Sequence, residues 1–241
     1  GKEKNMRVLY IFPHPDDESF GPAPVIAKQR REGHEVYLFT LTKGGATRLR
    51  HNLGYSIEEM GETRYKEMLE VEKVLNLSGM NVIDLPDSGL KELDPRIIED
   101  VVEDEIKRIK PDVVVTYAVH GISGFHDHLV THAVVKRVFV KMLDEKNDYL
   151  KRLAFFTLTS EQALGSEGIH KLNFSKDEEI DCIITVNDSD ITKFKKALDC
   201  YITYKEIIED SKIKEKVTDI IVYEFYREKF SPPVNDMFYG L

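Results

Sequence analysis

Residues 7–18 read RVLYIFPHPDDE, an apolar run that passes directly into histidine, proline and acidic residues. The run Arg7–Phe12 is short and mostly apolar, which suits a strand buried in a parallel sheet. The histidine and the carboxylates follow this strand at once, and ligands bind at the carboxyl ends of the strands in open α/β sheets. The stretch therefore predicts a central strand with a candidate site at its end.

A second stretch has the same organisation. Residues 112–119 read DVVVTYAV and predict a strongly buried strand, which Pro111 precedes. A loop over 120–127 follows, and a helix is predicted over about 128–145. Because parallel strands end at the same edge of a sheet, we expect the histidines and aspartates of the two loops to converge, although they are far apart in sequence.

The remaining segments alternate between strand-like and helix-like patterns. Further strands are predicted over 35–41, 82–85, 153–158, 180–186 and 220–226. Helices are predicted over 22–32, 57–77, 95–109 and 191–209, and a glycine-containing loop over 43–52. This alternation indicates βαβ units. The sequence therefore predicts an α/β fold, a Rossmann-like three-layer sandwich with a mostly parallel sheet and a less regular C-terminal part.

The composition narrows the classes of function. The 241 residues include 34 Lys plus Arg against 43 Asp plus Glu, and the net charge is −9. That balance argues against nucleic acid or an anionic membrane as the main partner. No stretch approaches the ~18 consecutive apolar residues of a membrane span, and the two cysteines, Cys182 and Cys200, lack CxxC spacing. We therefore expect a reduced, cytoplasmic protein with no membrane span and no nucleic-acid partner.

The two histidine and aspartate clusters contain the ligand types of a catalytic Zn²⁺ site. Such a site usually has three protein ligands and keeps one position open for water. The ion lowers the pKa of that water to about 7, and a further carboxylate nearby can act as a general base. Asp16 and Asp17 fit this division, because adjacent side chains in a turn point in different directions. The residues alone leave open which of the two binds the metal, and Fe²⁺ or Co²⁺ would fit the same ligands.

Each cluster alone also has a purely structural interpretation. Residues 16–18 would suit the N-terminus of a helix electrostatically, and residues 126–128 would suit a polar loop that caps the next helix. Their predicted convergence at one sheet edge favours the metal site. His132 lies four residues after His128 and hence on the same helix face; we expect it to be a helix-face histidine and not a further ligand.

These motifs resemble those of the LmbE/PIG-L-like zinc-dependent de-N-acetylases. The PHPDDE segment at 13–18 follows the first strand, and the Asp127-His128 pair opens a later helix. Three supporting segments are Thr42-Lys43-Gly44, Arg64-Tyr65-Lys66-Glu67 and Leu85-Pro86-Asp87-Ser88-Gly89-Leu90. The resemblance extends through most of the first 135 residues. We therefore expect one domain over 1–241, with a metal-site core at about 6–145 and a substrate-selecting C-terminal part at about 146–241.

The resemblance implies a function and a role for each motif residue. The ligands of one Zn²⁺ per chain would be His14, Asp17 and His128. Asp16 would be the general base, and Arg64 and Asp87 would shape or contact the sugar pocket. The implied reaction removes the acetyl group from an N-acetylglucosamine-type sugar or conjugate, so the partner is a small amino-sugar substrate. Relatives of this family often form trimers or hexamers.

The chain departs from the family pattern at Phe125. The family usually has His-Pro-Asp-His here, and the first histidine assists oxyanion stabilisation or protonation of the leaving group. A phenyl ring can do neither, so we take His126 as the catalytic candidate and His120 as a second one that could reach in from the loop. Asp127 would lose its usual imidazole partner and orient a different group. Gly45 is a further departure, since many relatives have Glu there.

Two other functions remain open at this stage. A metal-dependent phosphohydrolase could use the same crevice, but such sites commonly hold two metals and need more ligands than the sequence supplies. A catalytically weakened relative could bind a metal and a sugar without turnover, because Phe125 has replaced a functional group. Losing one oxyanion-type group typically costs ~10²–10³ in rate, which is compatible with a slower enzyme as well as an inactive one.

Overall fold

The computed structural model describes residues 4–165 and 171–241, so residues 1–3 and 166–170 of the expected domain lie outside the described residues. The described strands form one sheet in the order β3-β2-β1-β4-β5-β7-β6. Their bounds are Arg7–Phe12 (β1), Glu35–Thr40 (β2), Gly79–Val82 (β3), Val113–Tyr117 (β4), Arg152–Thr157 (β5), Cys182–Thr185 (β6) and Ile220–Phe225 (β7). Strands β1 to β5 pair in parallel, whereas β7 pairs antiparallel with both β5 and β6.

Helices connect these strands and cover both faces of the sheet. The α-helices of the described residues are Asp17–Phe20 (α1), Ala23–Arg31 (α2), Leu49–Leu53 (α3), Ile57–Val74 (α4), Pro95–Ile109 (α5), His126–Asp144 (α6), Ser160–Gly165 (α7), Asp188–Asp199 (α8), Lys205–Ser211 (α9) and Ile213–Lys216 (α10). Single 3₁₀ turns occur at Leu90–Glu92, Asp177–Glu179 and Ile202–Tyr204. Within the described ranges, no helix is both long enough and apolar enough to cross a membrane.

The core has two layers, one on each face of the sheet. Alternate residues of β1 show this division: Tyr10 and Phe12 belong to one buried cluster, and Leu9 and Ile11 belong to the other. A strand buried on both faces has a continuous apolar sequence, and this is why the sequence RVLYIF of β1 predicts a buried strand. The prediction of an α/β fold with a mostly parallel sheet and a less regular C-terminal part is confirmed. Strands β5, β6 and β7 extend the same sheet, and the division into one domain over 1–241 stays a prediction.

Several predicted boundaries were wrong. Strand β3 begins three residues before the predicted start at 82, and α6 begins at His126, so that His126 and Asp127 lie within its first turn. The helix predicted over 191–209 is divided into α8 and α9. The chain leaves the helix between them because the Tyr201 side chain is fully buried and the Thr203 backbone amide binds the carboxylate of Glu67. Tertiary contacts therefore override a continuous helical pattern.

Arg152 offers a test of the C-terminal packing. Its side chain is 2% exposed, binds both carboxylate oxygens of Glu228 at 2.8 Å and donates to the Met237 carbonyl at 2.7 Å. Replacing Arg152 with methionine is expected to lower the free energy of unfolding by about 3 kcal/mol, because it leaves these acceptors without a donor. Denaturant titration measures the change.

The control for this stability test is Arg96→Met. Arg96 also pairs with a carboxylate, that of Asp94, but its side chain is 79% exposed. Exposed ion pairs contribute little to stability, so this variant is expected to unfold at the same denaturant concentration as the parent. Equal losses in both variants would contradict the role assigned to Arg152.

Candidate active site

The loops that follow β1 and β4 meet at the carboxyl edge of the sheet. These two strands are parallel neighbours, with Val8 opposite Val113 and Tyr10 opposite Val115. Consequently His14 and Asp17 from the first loop come together with His128 from α6. One ligand atom from each of these three residues lies within 4.8 Å of the others. The convergence expected from the order of the strands is therefore present in the structure.

Hydrogen bonds fix which nitrogen of each histidine is free. His14 Nε2 donates to the Asp127 carboxylate at 2.8 Å, so in the neutral ring Nδ1 carries the lone pair, 3.7 Å from Asp17 Oδ2. His128 Nδ1 donates to the Gly121 carbonyl at 2.8 Å, which leaves Nε2 free, 3.6 Å from Asp17 Oδ1. Two free imidazole nitrogens and one carboxylate therefore face a common point.

This donor set fits a divalent metal ion. Two ligand atoms at ordinary bond length in a tetrahedral Zn²⁺ site are about 3.4 Å apart, close to the separations in the cluster. Burial lowers the pKa of His128, which favours the neutral form that binds metals. Burial also tends to lower the pKa of His14, but hydrogen bonds to Asp127 and Asp87 raise it to about 10. The carboxylates around His14 thus favour a positive charge at this residue, either a proton or a metal ion.

The group that Asp127 orients, which the sequence left unidentified, is the imidazole of His14. The Asp127 carboxylate is fully buried and accepts from His14 Nε2 as well as from the backbone amides of Ser88, at 2.8 Å, and Leu90, at 3.3 Å. It therefore orients His14 and attaches the loop that carries Asp87 to the same point. A carboxylate behind a ligand histidine is a recurrent feature of metal sites, and the adjacency of Asp127 to His128 was the available sequence signal.

Exchanging Asp127 for asparagine tests this orienting role. The amide replaces one acceptor oxygen with a donor and cannot accept from all three partners, so the affinity for Zn²⁺ is expected to fall about 10- to 100-fold. Titration calorimetry with Zn²⁺ measures the affinity. Asp144→Asn, an exposed aspartate at the far end of α6, is the control. An affinity unchanged in Asp127→Asn would contradict the role.

Asp16 lies beside the candidate ligands, and its carboxylate binds Arg64 whereas that of Asp17 binds the His14 amide. The backbone of Asp16 is in the left-handed region, with φ 77°, which aspartate tolerates better than most residues. Arg64 Nη2 donates to Asp16 Oδ2 at 2.8 Å, while the same guanidinium binds the carbonyls of Pro15 and Gly44. Burial raises the pKa of Asp16 to about 8, although Arg64 opposes the rise. A carboxylate with this pKa can exchange a proton near neutral pH.

A cavity of 660 Å³ opens above these residues. Six of the seven predicted site residues line it: His14, Asp16, Asp17, Arg64, Asp87 and His128. Asp87 Oδ1 also lies 3.3 Å from His14 Nε2, and its Oδ2 accepts from the Ala46 amide at 2.8 Å. These contacts make Asp87 part of the support for His14 as well as part of the cavity lining.

The structure does not bring His126 into the described lining of the cavity. Its Nδ1 lies 3.4 Å from Asp127 Oδ1, behind the ligands. His120, the second candidate, is engaged elsewhere: its Nδ1 accepts from the Ile122 amide and its Nε2 is 3.0 Å from Thr157 Oγ1.

Phe125 itself lines the cavity, with its ring centroid 5.5 Å from that of His14. An apolar ring thus stands where the family has an imidazole.

The loop at Ile122 is held in a strained conformation. Ile122 has φ 64°, which is rare for a β-branched residue and costs about 1–3 kcal/mol. His120 binds its amide at 3.0 Å, and its carbonyl accepts from the Asn173 amide at 2.7 Å. The same loop supplies the Gly121 carbonyl that orients His128. The contacts of this loop therefore fix both the candidate ligand His128 and the backbone of Ile122 at the cavity.

Gly45 is explained by close packing against α4. A Cβ atom at this position would collide with the Ile57 carbonyl, so no side chain fits there. The cavity is lined at this side by its neighbours Ala46 and Thr47.

His132 is 4% exposed, and its Nδ1 donates to the Tyr117 carbonyl at 2.9 Å, as expected for a packed helix-face histidine.

Segment 201–204 completes the site from the C-terminal part. Tyr201 donates its hydroxyl proton to Glu18 at 2.9 Å, and Thr203 binds Glu67 through its amide at 2.8 Å and its hydroxyl at 2.6 Å. These links place the Tyr204 ring against the Arg64 guanidinium, 4.1 Å from ring centroid to Cζ. Sequence reasoning could not find these residues, because no local motif marks them.

A second group of possible ligands does not form an independent site. It consists of His14, Asp87 and Asp127, and it shares His14 with the first group. In residues 4–165 and 171–241 these are the two groups that could hold a metal. Asp127 is already bound by two backbone amides. The arrangement therefore gives no support to the two-metal site that the phosphohydrolase alternative requires.

Comparisons with known proteins agree with this geometry. Residues 9–139 match the model of the PIG-L family, described as GlcNAc-PI de-N-acetylase. The chain is 31% identical over 144 residues to the "Probable N-acetyl-alpha-D-glucosaminyl L-malate deacetylase 2" of Bacillus subtilis, covering 58% of this chain and 63% of that protein. It is 32% identical over 152 residues to a mycothiol S-conjugate amidase of Streptomyces coelicolor, covering 56% of this chain and 52% of that protein. The matches thus span about half to two thirds of these relatives.

A solved structure extends the likeness over the whole fold. The crystal structure of the A40926 pseudoaglycone deacetylase superposes with a TM-score of 0.72 and 18% sequence identity, covering 93% of this chain and 98% of that chain. At this identity the likeness shows a shared fold. It includes the C-terminal part, for which the sequence offered no resemblance.

Proposed function

The chain belongs to the PIG-L family of GlcNAc-PI de-N-acetylases, and on this premise we propose that it is a zinc-dependent hydrolase that removes the N-acetyl group from an N-acetylglucosamine-type sugar or conjugate. The observation that carries the proposal is the convergence of His14, Asp17 and His128, with Asp16 beside them and all four on one cavity. The relatives named above support an amino-sugar conjugate as the class of substrate.

The proposed metal is one Zn²⁺ per chain, held by His14 Nδ1, His128 Nε2 and the Asp17 carboxylate. When bound, Zn²⁺ acts as a Lewis acid towards the amide oxygen and makes water a better nucleophile at neutral pH. Fe²⁺ or Co²⁺ would suit the same donors. Asp127 holds the His14 ring through Nε2, and the Gly121 carbonyl holds the His128 ring through Nδ1.

Asp16 is the proposed general base. It accepts a proton from the attacking water, whose oxygen forms a bond to the acetyl carbon, and the C–N bond then breaks. Asp16 returns the proton to the departing nitrogen, so the products are acetate and a free amine. Arg64 fixes the carboxylate of Asp16 during both transfers through its bond to Oδ2. No imidazole faces the substrate where the family has one, so Asp16 handles the proton in both directions.

Removal of the metal tests the proposal directly. Dialysis against a chelator is expected to abolish amine release from N-acetylglucosamine derivatives, and addition of one equivalent of Zn²⁺ is expected to restore it. Elemental analysis of the purified protein is expected to find one ion per chain. Release that persists in the metal-free protein would contradict the proposal, whereas tight sugar binding without release would indicate the catalytically silent relative.

We also propose a reducing, cytoplasmic setting and assembly into trimers or hexamers. The setting is supported by the two cysteines: Cys182 is buried, Cys200 is half-buried, and neither forms a disulfide. The assembly is supported by the resemblance to the family. Light scattering of the purified chain measures the mass of the assembly, and a monomeric mass would contradict it.

A further inference from the structure

The cavity is lined by two chemically different kinds of residue. Metal-ligand candidates and charged residues, among them Asp16, Asp17 and Arg64, are one kind. Tyr117 also lines the cavity, with its ring stacked on that of His128. Six further apolar or aromatic residues, which we call the apolar lining, are Phe20, Ile122, Phe125, Phe156, Tyr204 and Ile207. A volume of 660 Å³ lies in the range of cavities that enclose drug-sized ligands. A small, uniformly polar sugar would leave the apolar lining in contact with water.

Three members of the apolar lining lie in or near the motif loops of the first half of the chain. Phe125 stands where the family has an imidazole, and it is 37% exposed. Ile122 lines the cavity with its backbone at φ 64°, and His120 and Asn173 bind its amide and its carbonyl. Backbone strain of this kind persists where surrounding contacts maintain it, and it clusters at functional sites. Phe20 lies two residues after the PHPDDE segment.

The remaining members face the cavity from the second half of the chain. Phe156 lies in β5, and its ring would be struck by a Cβ at Gly21, so the first motif and this strand pack without a gap. Tyr204 is held by the links of segment 201–204, and Ile207 follows in α9 with 40% of its surface exposed. Large apolar side chains exposed at the rim of a concave site mark ligand contacts.

We propose that the apolar lining binds an alkyl group of the substrate. This inference rests on the proposed function and specifies its substrate class: an amino-sugar amide that carries an alkyl chain next to the reacting centre. The chain can belong to the acyl group or to the aglycone, and both sources have the same chemistry. In either case water cleaves the amide C–N bond, and the products are a carboxylate and a free amine.

Two substrates distinguish an alkyl chain on the acyl group from one on the aglycone. N-hexanoylglucosamine carries the alkyl chain on the acyl side, and hexyl N-acetylglucosaminide carries it on the aglycone side. Each buried CH₂ contributes about fourfold in affinity, so one of the two is expected to exceed N-acetylglucosamine in kcat/KM at least tenfold, as a rough lower bound. Hydrolysis of N-acetylglucosamine without a gain with either alkyl substrate would overturn the alkyl site while leaving the proposed function intact.

Substitutions in the apolar lining show which residues produce the preference for the alkyl substrate. Phe125→Ser and Ile207→Ser are each expected to reduce the preference for the alkyl substrate over N-acetylglucosamine by about tenfold. Leu143→Ser is the matched control, since Leu143 is also 37% exposed but lies near the other end of α6. It is expected to leave the preference unchanged. A preference that survives both lining variants would overturn the assignment of these residues.

Binding without hydrolysis separates this inference from the proposed function. Hexyl glucoside has no amide, and calorimetry measures its binding independently of turnover. Binding that is weakened by Phe125→Ser but not by Leu143→Ser supports the alkyl site even when no substrate is hydrolysed, in which case the proposed function alone fails. Absence of binding together with absence of any alkyl preference would overturn the alkyl site.

Discussion

Replacing Asp16 with asparagine is expected to lower kcat/KM by about 10³-fold, because general acid–base catalysis typically contributes 10²–10⁴ in rate. Asparagine has the same shape, tolerates the left-handed backbone of this position and retains an oxygen for the bond from Arg64. It cannot accept the proton of the attacking water. The substitution therefore removes one chemical property and leaves the surrounding contacts in place.

Two measurements make the Asp16 experiment decisive. Metal content is expected to stay at the parent value, since Asp16 is not among the grouped ligand atoms. Asp84→Asn is the matched control, because Asp84 is exposed and follows β3 without lining the cavity. A loss of metal in Asp16→Asn would move this residue into the ligand set, and unchanged kcat/KM with full metal content would remove it from catalysis.

Replacing Asp17 with asparagine is expected to lower Zn²⁺ affinity by more than about 100-fold. Loss of a residue that only orients a ligand already costs about 10- to 100-fold, and Asp17 supplies the only charged donor of the cluster His14, Asp17 and His128. Its Oδ2 also accepts from the His14 amide at 2.9 Å, so the charge helps to shape the loop. Competition with a chromophoric chelator measures the affinity.

Folding has to be separated from metal binding in this experiment. Circular dichroism of the metal-free variant is compared with that of the metal-free parent, and His128→Asn provides a second ligand variant on a different element. Asp100→Asn, an exposed aspartate on α5, is the control for charge. Zn²⁺ affinity within threefold of the parent in both folded ligand variants would exclude the assigned cluster.

The meeting of the two motif loops could be predicted because it depends on topology. Both loops follow strands with continuous apolar runs, and β1 and β4 are neighbours in the sheet. The identity of the free nitrogens could not be predicted. It depends on the Asp127 carboxylate and the Gly121 carbonyl, whose positions follow from the packing of α6 against the loop at 88–90.

The C-terminal contribution to the site was outside the reach of local patterns. Residues 191–209 have a helical pattern throughout, yet the chain turns at Ile202–Tyr204 to satisfy the buried carboxylates of Glu18 and Glu67. Glu18 and Glu67 lie in the first half of the chain, which carries the motifs. Their local sequence predicts helix positions and gives no sign of a partner in the C-terminal part. His126 is the first residue of α6, which begins earlier than predicted, and it is not among the described residues that line the cavity.

The hydrogen bonds that hold segment 201–204 affect the order in which the protein folds. They connect residues 183 and 136 positions apart in the chain, and contacts that close such long loops form slowly. During synthesis both motif loops leave the ribosome long before this segment does. The edge of the sheet that carries both motif loops is therefore synthesised first, and the side of the cavity that Tyr204 and Ile207 line is added last.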